Sequence, residues 1–404
     1  MSNSWRHLSF HRTWLLQQAT ALFDFFQFRS TNPKGGFFEL GDNGEPVGSV
    51  RQLHATTRMI HCFTIGHLLG RPGADSIIDH GMNFLWQKHR DQRYGGYVWS
   101  LDDDGYVDNT KQAYGHAFVL LAASSAKIAG HPLADNLLAD ITGILENRFW
   151  EDRHGAVVEE FARDWSPMTS YRGQNSNMHL TEALMAAFEA TANPTFLHKA
   201  ERIAHLIIGR HAVNLNHRVA EHFDHEWNPD HNYRGSEIFR PSGTTPGHWL
   251  EWSRLLLQLW ELGGRKLAWL PDAAAKLFRS AIELGWDKDR GGFFYTLDWE
   301  NRPALAHKLW WPQAEGIGAA TFLAEHSTDP FYEDWYRRIW GFCNTHFIDH
   351  GSGGWYSELS EELEPKHSLF NGKPDIYHAL QACLIPLFPA TGSLTRVIGE
   401  AGSR

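Results

Sequence analysis

Apolar positions recur at three- and four-residue spacing in segments of about 15 to 20 residues, which is the period of an amphipathic helix. Twelve such segments are separated by polar or glycine-containing stretches. The predicted helices span 7–28, 51–69, 74–90, 110–129, 132–149, 175–191, 194–211, 246–262, 269–285, 310–325, 330–346 and 373–387. Pro132, Pro194 and Pro271 stand near predicted starts, where the missing N–H of proline costs nothing. The pattern predicts an all-α chain.

A glycine–aromatic signature recurs between pairs of these segments. It reads GGFFEL from Gly35, GGYVWS from Gly95, HGAVVEEF from His154, GGFFYTL from Gly291 and GGWYSEL from Gly353, and EHFDHEW from Glu221 stands where a further copy is expected. Successive copies lie about 60 to 70 residues apart, a period that indicates one supersecondary unit per copy.

Two helices and one hairpin in each of six units predict an (α/α)6 barrel of twelve helices with short β-hairpins on one rim. The inner helix of each unit is expected directly after the signature. A helical solenoid of six hairpins is the alternative. No Pro- or Ser-rich linker divides the chain, so we expect residues 1–404 to form a single domain.

Composition excludes several function classes. The net charge is −10 and no basic run occurs, which argues against a nucleic-acid partner. The longest apolar stretch, 117–129, is interrupted by polar residues and is too short to span a bilayer. Three cysteines without a C-x-x-C pair and no signal-like N-terminus lead us to expect a cytoplasmic protein. Aromatic residues are 13% of the chain, which fits either a large core or a surface for stacking sugars.

Polar residues at the starts of the six inner helices are the candidate site. An inner helix of a closed barrel has no solvent face, so such residues must line the cavity or be paired. The residues concerned are His54 and Arg58; Lys111 and Tyr114; Asn175, His179 and Glu182; His248, Glu251 and Arg254; Trp311 and Glu315; Asp375 and His378. Spacings of three and four place each group on one helix face. A single histidine near a helix start is more often a hydrogen-bonded core residue, but the recurrence favours one shared cavity.

Histidine suits proton transfer, because its ordinary pKa of about 6.5 lets it take and return protons near neutrality. His248 follows Pro246 and Gly247, so we expect it near a helix N-terminus, where the neutral ring is favoured. Glu251, one turn later, is expected to orient that ring or raise its basicity.

Other chemistries are less well supported. We find no HExxH or cysteine zinc spacing, no GxSxG elbow, no Walker loop and no dinucleotide fingerprint. The run EHFDHEWNPDH, with His222, His225 and His231, stays open as a metal-binding alternative. A glycoside hydrolase would use two carboxylates among Glu182, Glu251 and Glu315. A non-catalytic sugar-binding module would explain the aromatic residues alone.

The segments NSNMHLTEA, TPGHWLEW, WWPQAEG and KPDIYHALQ, in this order, resemble the N-acylglucosamine 2-epimerase superfamily along nearly the whole chain. Within it, VDNTKQAYGHAF and DIYHALQACLIP are similar to the aldose–ketose isomerase branch of mannose and sulfoquinovose isomerases. The resemblance implies an (α/α)6 barrel, a monosaccharide partner, and no metal or other cofactor. It leaves a homo-oligomer open.

The resemblance also implies site residues. His248 and His378 would be the catalytic pair, with Glu251 beside them, and Arg58 would stabilise an enediolate. The substrate-binding positions would be Arg58, His54, Tyr114, Asn175, His179, Trp311 and Glu315. A Trp can stand at the position of His54 in the sulfosugar branch, so stacking there is expected to differ.

The implied reaction interconverts D-mannose and D-fructose, with D-lyxose as a slower substrate. A sugar 2-epimerase acting on mannose or cellobiose, or a sulfoquinovose isomerase, is the alternative. Ser357 and Pro374 stand where the sulfosugar branch carries glutamines, and neither supplies an amide donor.

Overall fold

The computed structural model describes residues 4–402 and is mainly helical. Its α-helices are α1 Ser9–Gln27, α2 Leu53–Leu68, α3 Ala74–Phe84, α4 Ala113–Ile128, α5 Ala134–Ile144, α6 Gln174–Thr191, α7 Pro194–Ala204, α8 Pro246–Leu262, α9 Trp269–Ser280, α10 Trp310–His326, α11 Pro330–Phe342, α12 Tyr377–Leu384 and α13 Leu394–Gly402. Among the described helices, none is long and apolar enough to cross a membrane.

Six helices form a closed inner ring. Helices α2, α4, α6, α8, α10 and α12 pack against one another in this order, and α12 returns to α2. The helices α3, α5, α7, α9 and α11 each pack outside the inner helix that precedes them, and α1 packs against α12. The closed ring confirms the (α/α)6 barrel and excludes the solenoid.

Short strands lie around one end of the ring. They are β1 Glu39–Leu40, β2 Pro46–Val47, β3 Arg51–Gln52, β4 Ser100–Leu101, β5 Tyr106–Asp108, β6 Lys111–Gln112, β7 Trp150–Glu151, β8 Ala156–Val157, β9 Glu160–Phe161, β10 Arg172–Gly173, β11 His222–Phe223, β12 Thr296–Leu297, β13 Pro303–Leu305, β14 Lys308–Leu309 and β15 Glu358–Leu359.

Each strand that directly precedes an inner helix pairs with a strand of the next unit along the chain. The antiparallel pairs are β3 with β4, β6 with β9, β10 with β11 and β14 with β15. Single bridges between Thr244 and Leu297 and between Lys373 and Leu40 supply the remaining two connections. The last bridge joins the C-terminal unit to the N-terminal one, so the strands close the same ring as the helices.

The predicted helix bounds differ from the observed ones at the chain's C-terminal end. Helix α12 begins at Tyr377 rather than 373, because Lys373 is bonded to Leu40 and the Asp375 side chain accepts a hydrogen bond from the Tyr377 N–H. Helix α13 was not predicted. It packs on α2, α4 and α6 through Leu394, Val397 and Ile398. These residues have helical spacing, but nine residues are fewer than a helix assignment from periodicity needs.

Lys111 does not reach the cavity, contrary to the sequence expectation. It lies on β6, two residues before α4 begins, so helical spacing from Tyr114 does not apply to it. Its fully buried ammonium lies 3.5 Å from Asp91 and donates to the Arg163 carbonyl. Burial lowers the pKa of Lys111 to about 8, with Asp91 opposing that shift.

Similar ion pairs hold other hairpins. Lys308 and Lys373, which precede α10 and α12, donate to Asp287 and Asp349 at 2.7 Å. A buried charge is tolerated only when it is paired and hydrogen-bonded, so these lysines attach each hairpin to the start of the following inner helix.

The signature glycines take positive φ angles in tight turns. Gly95 and Gly96 both have φ of +73°, and their turn is closed by two hydrogen bonds with the backbone of Asp91. A Cβ on Gly96 would lie 2.6 Å from the Trp165 ring, whereas a Cβ on Gly95 would meet nothing within 4 Å. The second glycine is therefore required for packing as well as for conformation.

We expect Gly96→Ala to destabilise the fold more than Gly95→Ala. Both changes force a left-handed alanine, at about 1–2 kcal/mol, but only Gly96→Ala also overpacks Trp165, at about a further 1–3 kcal/mol. Urea unfolding followed by circular dichroism measures the two free energies. Equal losses would show that packing against Trp165 is unimportant.

Candidate active site

One cavity opens at the ends of the inner helices where the chain enters from the strands. Its volume is about 240 Å³. The predicted residues on its wall are His54, Arg58, Tyr114, Asn175, His179, His248, Glu251, Trp311, Asp375 and His378. The closed ring thus brings together side chains from six units that are far apart in sequence.

His248 is held by a carboxylate that lies beside β11, 27 residues earlier in the chain. Its Nδ1 lies 2.9 Å from Oε2 and 3.0 Å from Oε1 of Glu221. Glu221 also accepts a hydrogen bond from Gln174, whose amide is oriented because its oxygen accepts from the Trp252 indole. Burial raises the pKa of Glu221, but His248 and Gln174 lower it by more. An ionised Glu221 accepts the Nδ1–H of His248, so Nε2 is left as the free base.

His378 has the same arrangement. Its Nδ1 lies 2.9 Å from Oε1 of Glu315, and Arg254 donates to the other oxygen of that carboxylate at 3.0 Å. Although burial raises the pKa of Glu315, Arg254 and His378 lower it below its ordinary range. Two histidines from different units therefore present the same ring nitrogen as an acceptor.

Trp311 lies between the two histidines. Its ring centroid is 4.9 Å from that of His248 and 5.9 Å from that of His378. Gly247 makes room for it, because a Cβ there would lie 2.5 Å from the Trp311 ring. The indole consequently fixes the spacing of the two imidazoles.

Two of the sequence expectations for glutamates need correction. The hydrogen-bond partner of His248 is Glu221, not Glu251, which instead lies 3.5 Å from His179 and 3.8 Å from Arg254. A spacing of three residues puts two side chains on one helix face, but Nδ1 of His248 is turned away from its own helix, towards Glu221 beside β11. Glu315 was expected to bind substrate, and it lies behind His378 as its partner rather than on the cavity wall.

Arg58 enters the cavity already paired. It donates to Asp375 at 2.6 Å and to the Tyr114 hydroxyl at 2.9 Å, while Phe118 lies against its guanidinium. Its buried Nε–H has no hydrogen-bond partner among the described residues. Arg58 therefore offers a fixed positive charge with one donor still free.

Two further histidines on the wall are neutral at ordinary pH. The His54 ring stacks on Trp99 at 5.0 Å, and burial lowers its pKa to about 3. His179 lies against Tyr114 and Phe118, and burial lowers its pKa to about 4. Both rings can therefore exchange hydrogen bonds with a ligand without adding charge.

The placement of His222, His225 and His231 does not support a metal site. The His222 ring forms hydrogen bonds with Tyr171 and with the Pro241 carbonyl, His225 is exposed, and His231 lies against Trp299 with the two rings tilted by 56°. Among residues 4–402, the group whose ligand atoms come within 4.8 Å of one another is His179, Glu182 and Glu251. The guanidinium of Arg254 already supplies positive charge to both of those carboxylates.

Part of the cavity roof is formed by residues that no sequence pattern predicted. Ile238, Phe239 and Pro241 come from the long connection before α8 and line the cavity. The Tyr295 hydroxyl donates to the carbonyls of Glu237 and Ile238, and Phe239 contacts the rings of His54 and Trp99 edge-on. No helical or strand period marks this segment, so its position could not be deduced.

Comparison with known proteins places this arrangement in a family. Residues 35–382 match the sequence profile of the N-acylglucosamine 2-epimerase family. The chain belongs to that family. The match runs from the first glycine signature to the end region of α12, so it includes every residue of the cavity wall named above.

Relatives within the family match along nearly the whole chain. The chain is 43% identical over 403 residues to the D-mannose isomerase of Pseudomonas cannabina pv. alisalensis, across 97% of this chain and 96% of that protein. It is 39% identical over 406 residues to the D-mannose isomerase of Thermobifida fusca, across 98% and 99% of the two chains. A crystal structure of D-mannose isomerase superposes with a TM-score of 0.87 at 35% identity, covering 93% of this chain and 97% of that one.

Glu221→Gln should reduce kcat by about 10²-fold or more, the range that positioned acid–base groups contribute. The glutamine amide no longer fixes the proton of His248 on Nδ1, so Nε2 loses its role as acceptor. Glu189→Gln is the control, because Glu189 is an equally buried glutamate that bonds to Ser393 near α13, away from the cavity. A Glu221→Gln enzyme with wild-type kcat would contradict the assignment.

Acid should destabilise the fold between about pH 6.5 and 4. Burial lowers the pKa of several histidines to about 4 or below, and these are His11, His54, His61, His89, His116, His179 and His211. In this window the unfolded chain binds protons that the folded chain does not, so the free energy of unfolding falls as the pH falls. Urea unfolding at pH steps of half a unit measures how the free energy of unfolding depends on pH. A loss confined to pH below 4 would instead identify carboxylates as its cause.

Proposed function

We propose that this chain is an aldose–ketose isomerase that interconverts D-mannose and D-fructose through a cis-enediolate. The proposal rests on two His–Glu pairs that face one cavity, in a chain 43% identical to a D-mannose isomerase over nearly its full length. Proton transfer between neighbouring carbons needs two groups that both accept and return protons near neutral pH, and histidine meets that need.

The proposed reaction starts from the ring form of the sugar, which opens with help from His248. Nε2 of His378 then removes the proton on carbon 2, and the electron pair moves to give the enediolate with charge on the carbon 1 oxygen. Return of the proton to carbon 1, with the carbon 2 hydroxyl proton passing to the carbon 1 oxygen, gives the ketose. Glu315 remains ionised and stabilises the imidazolium of His378 that forms in between.

Charge on the enediolate is stabilised by Arg58, whose position is set by Asp375 and Tyr114. Fixed donors aimed at developing charge in a water-poor site are among the strongest contributions to catalysis. His54, Asn175, His179 and Trp311 are proposed to bind the remaining sugar hydroxyls and faces.

The size of the cavity favours a monosaccharide. At about 240 Å³ it is smaller than the clefts of about 300–1,000 Å³ that enclose drug-sized ligands. The disaccharide substrate of a cellobiose 2-epimerase would need a larger cavity than a monosaccharide does. A mannose 2-epimerase would use the same two histidines and return the proton to the other face of carbon 2, so it is the second candidate.

A sulfoquinovose isomerase and a glycoside hydrolase both fit this cavity less well. A sulfoquinovose isomerase would need amide donors at the positions that Ser357 and Pro374 occupy in this chain, and proline supplies no hydrogen-bond donor. The glycoside hydrolase would use two carboxylates among Glu182, Glu251 and Glu315, but only Glu251 of these three lines the cavity, because Glu182 and Glu315 are bound to Arg254 beneath it.

We also propose that residues 1–404 act as one catalytic domain, in the cytoplasm. Helix α1 completes the outer ring against α12, so both ends of the chain contribute to one barrel. Within the described residues Cys62, Cys343 and Cys383 are buried and unbridged, which fits a reducing compartment.

Proton NMR of D-mannose with the purified enzyme in D₂O tests the function. We expect fructose to form with deuterium incorporated, because the abstracted proton can exchange with solvent on a histidine. The His378→Asn variant should form neither fructose nor glucose from D-mannose. Glucose appearing before fructose would make the chain a 2-epimerase, and no turnover of mannose would overturn the proposal.

A further inference from the structure

Beneath the cavity floor, three glutamates from three inner helices share one arginine. The Arg254 guanidinium lies 3.0 Å from Glu315, 3.5 Å from Glu182 and 3.8 Å from Glu251. All four side chains are at most 9% exposed. One positive charge thus faces three groups that would each be negative if ionised.

The hydrogen bonds divide these glutamates unequally. Glu315 accepts from both Arg254 and His378, and Glu182 accepts from the Tyr377 hydroxyl beside the guanidinium. Oε1 of Glu251 is buried, and no hydrogen-bond partner for it exists among the described residues. An ionised carboxylate oxygen buried in that way is costly, whereas a protonated carboxyl group avoids most of the cost.

The groups that face Glu251 support the same assignment. Burial and the neighbouring Glu315 and Glu182 raise its pKa well above the ordinary range, and Arg254 and Arg58 oppose the shift without cancelling it. The imidazole of His179, 3.5 Å away, has a pKa of about 4 and carries no positive charge at neutral pH. Its Nδ1 is likewise without a hydrogen-bond partner among the described residues.

We infer that Glu251 is a neutral carboxylic acid in the working enzyme and donates a hydrogen bond to an oxygen of the bound sugar. Glu251 is one of the residues that line the cavity, so its side chain lies next to the space that a ligand would occupy. The identity of that ligand rests on the proposed function. The protonation of Glu251 does not, because it follows from the arrangement of Arg254 and its three glutamates.

A neutral donor has an effect that a second arginine would not have. It stabilises charge as it develops on a sugar oxygen, and it adds no positive charge that would lower the basicity of His248 or His378. Glu251 therefore complements Arg58, which supplies the fixed charge. The proton stays on Glu251 throughout, so it acts as a hydrogen-bond donor and not as a general acid.

Infrared difference spectroscopy without substrate tests the protonation. The wild-type minus Glu251→Gln spectrum at neutral pH should contain the C=O stretching band of a protonated carboxyl group and no carboxylate bands. Subtraction is needed because Glu159 is another buried glutamate whose pKa burial raises. The control is Glu182→Gln, since the neighbours of Glu182 lower its pKa and its difference spectrum should contain carboxylate bands. Carboxylate bands in the Glu251 difference spectrum would overturn the inference.

Kinetics test the role. Glutamine keeps an N–H donor of the same length, so kcat of Glu251→Gln on D-mannose should stay within about tenfold of wild type. Removing the donor with Glu251→Leu should lower kcat by about 10²–10³-fold, the usual cost of one lost donor to a developing charge. A Gln variant as inactive as the Leu variant would overturn the donor role. If the wild type itself does not isomerise mannose, the proposed function fails, and the infrared result still decides the protonation of Glu251.

Discussion

The six inner helices are enclosed on every side, and the rest of the structure depends on that constraint. A polar side chain buried on such a helix is costly unless it has a hydrogen-bond partner, and at the strand-bearing end the partners are other side chains or a ligand. This constraint produces the His248–Glu221 and His378–Glu315 pairs and the Arg58–Asp375 pair. The polar groups left without a partner there are the ones that a sugar can satisfy.

The same constraint makes the two histidines chemically alike. Each imidazole gives its Nδ1 proton to a buried carboxylate from outside its own helix, and each lies against Trp311. Two equivalent bases on one cavity explain why isomerases and 2-epimerases can share this barrel. The outcome then depends on which carbon, and which face, receives the proton back.

Burial also decides how charge is balanced beneath the cavity, around Arg254. The shortest contact of Arg254 is with Glu315, at 3.0 Å. This contact stabilises the ionised form of Glu315, which is the hydrogen-bond partner of His378. Glu251 is the most weakly bound of the three glutamates and is therefore the one that retains a proton. Buried charges at the strand-bearing end of the barrel are also paired. The ammonium groups of Lys111, Lys308 and Lys373 each lie beside an aspartate of a hairpin.

Much of this could be predicted from the sequence. The helical period located all twelve barrel helices, and the repeated glycine signature indicated six units and hence the barrel. His248, His378, Arg58 and Trp311 could be identified because residue type and position in the first turns of the inner helices carry that information.

The pairing of these residues depends on the closed ring. Helical spacing relates residues on one helix, so it suggested Glu251 as the partner of His248 and Lys111 as a cavity residue. The real partner, Glu221, lies 27 residues before His248 across a long connection, and only the tertiary structure brings it to the imidazole. Helix α13 is too short to be recognised from its period, and the roof at Phe239 has no helical or strand period. Residue types and their spacing therefore establish which groups are available for chemistry, while the protonation and partners of those groups depend on contacts between units that no local pattern encodes.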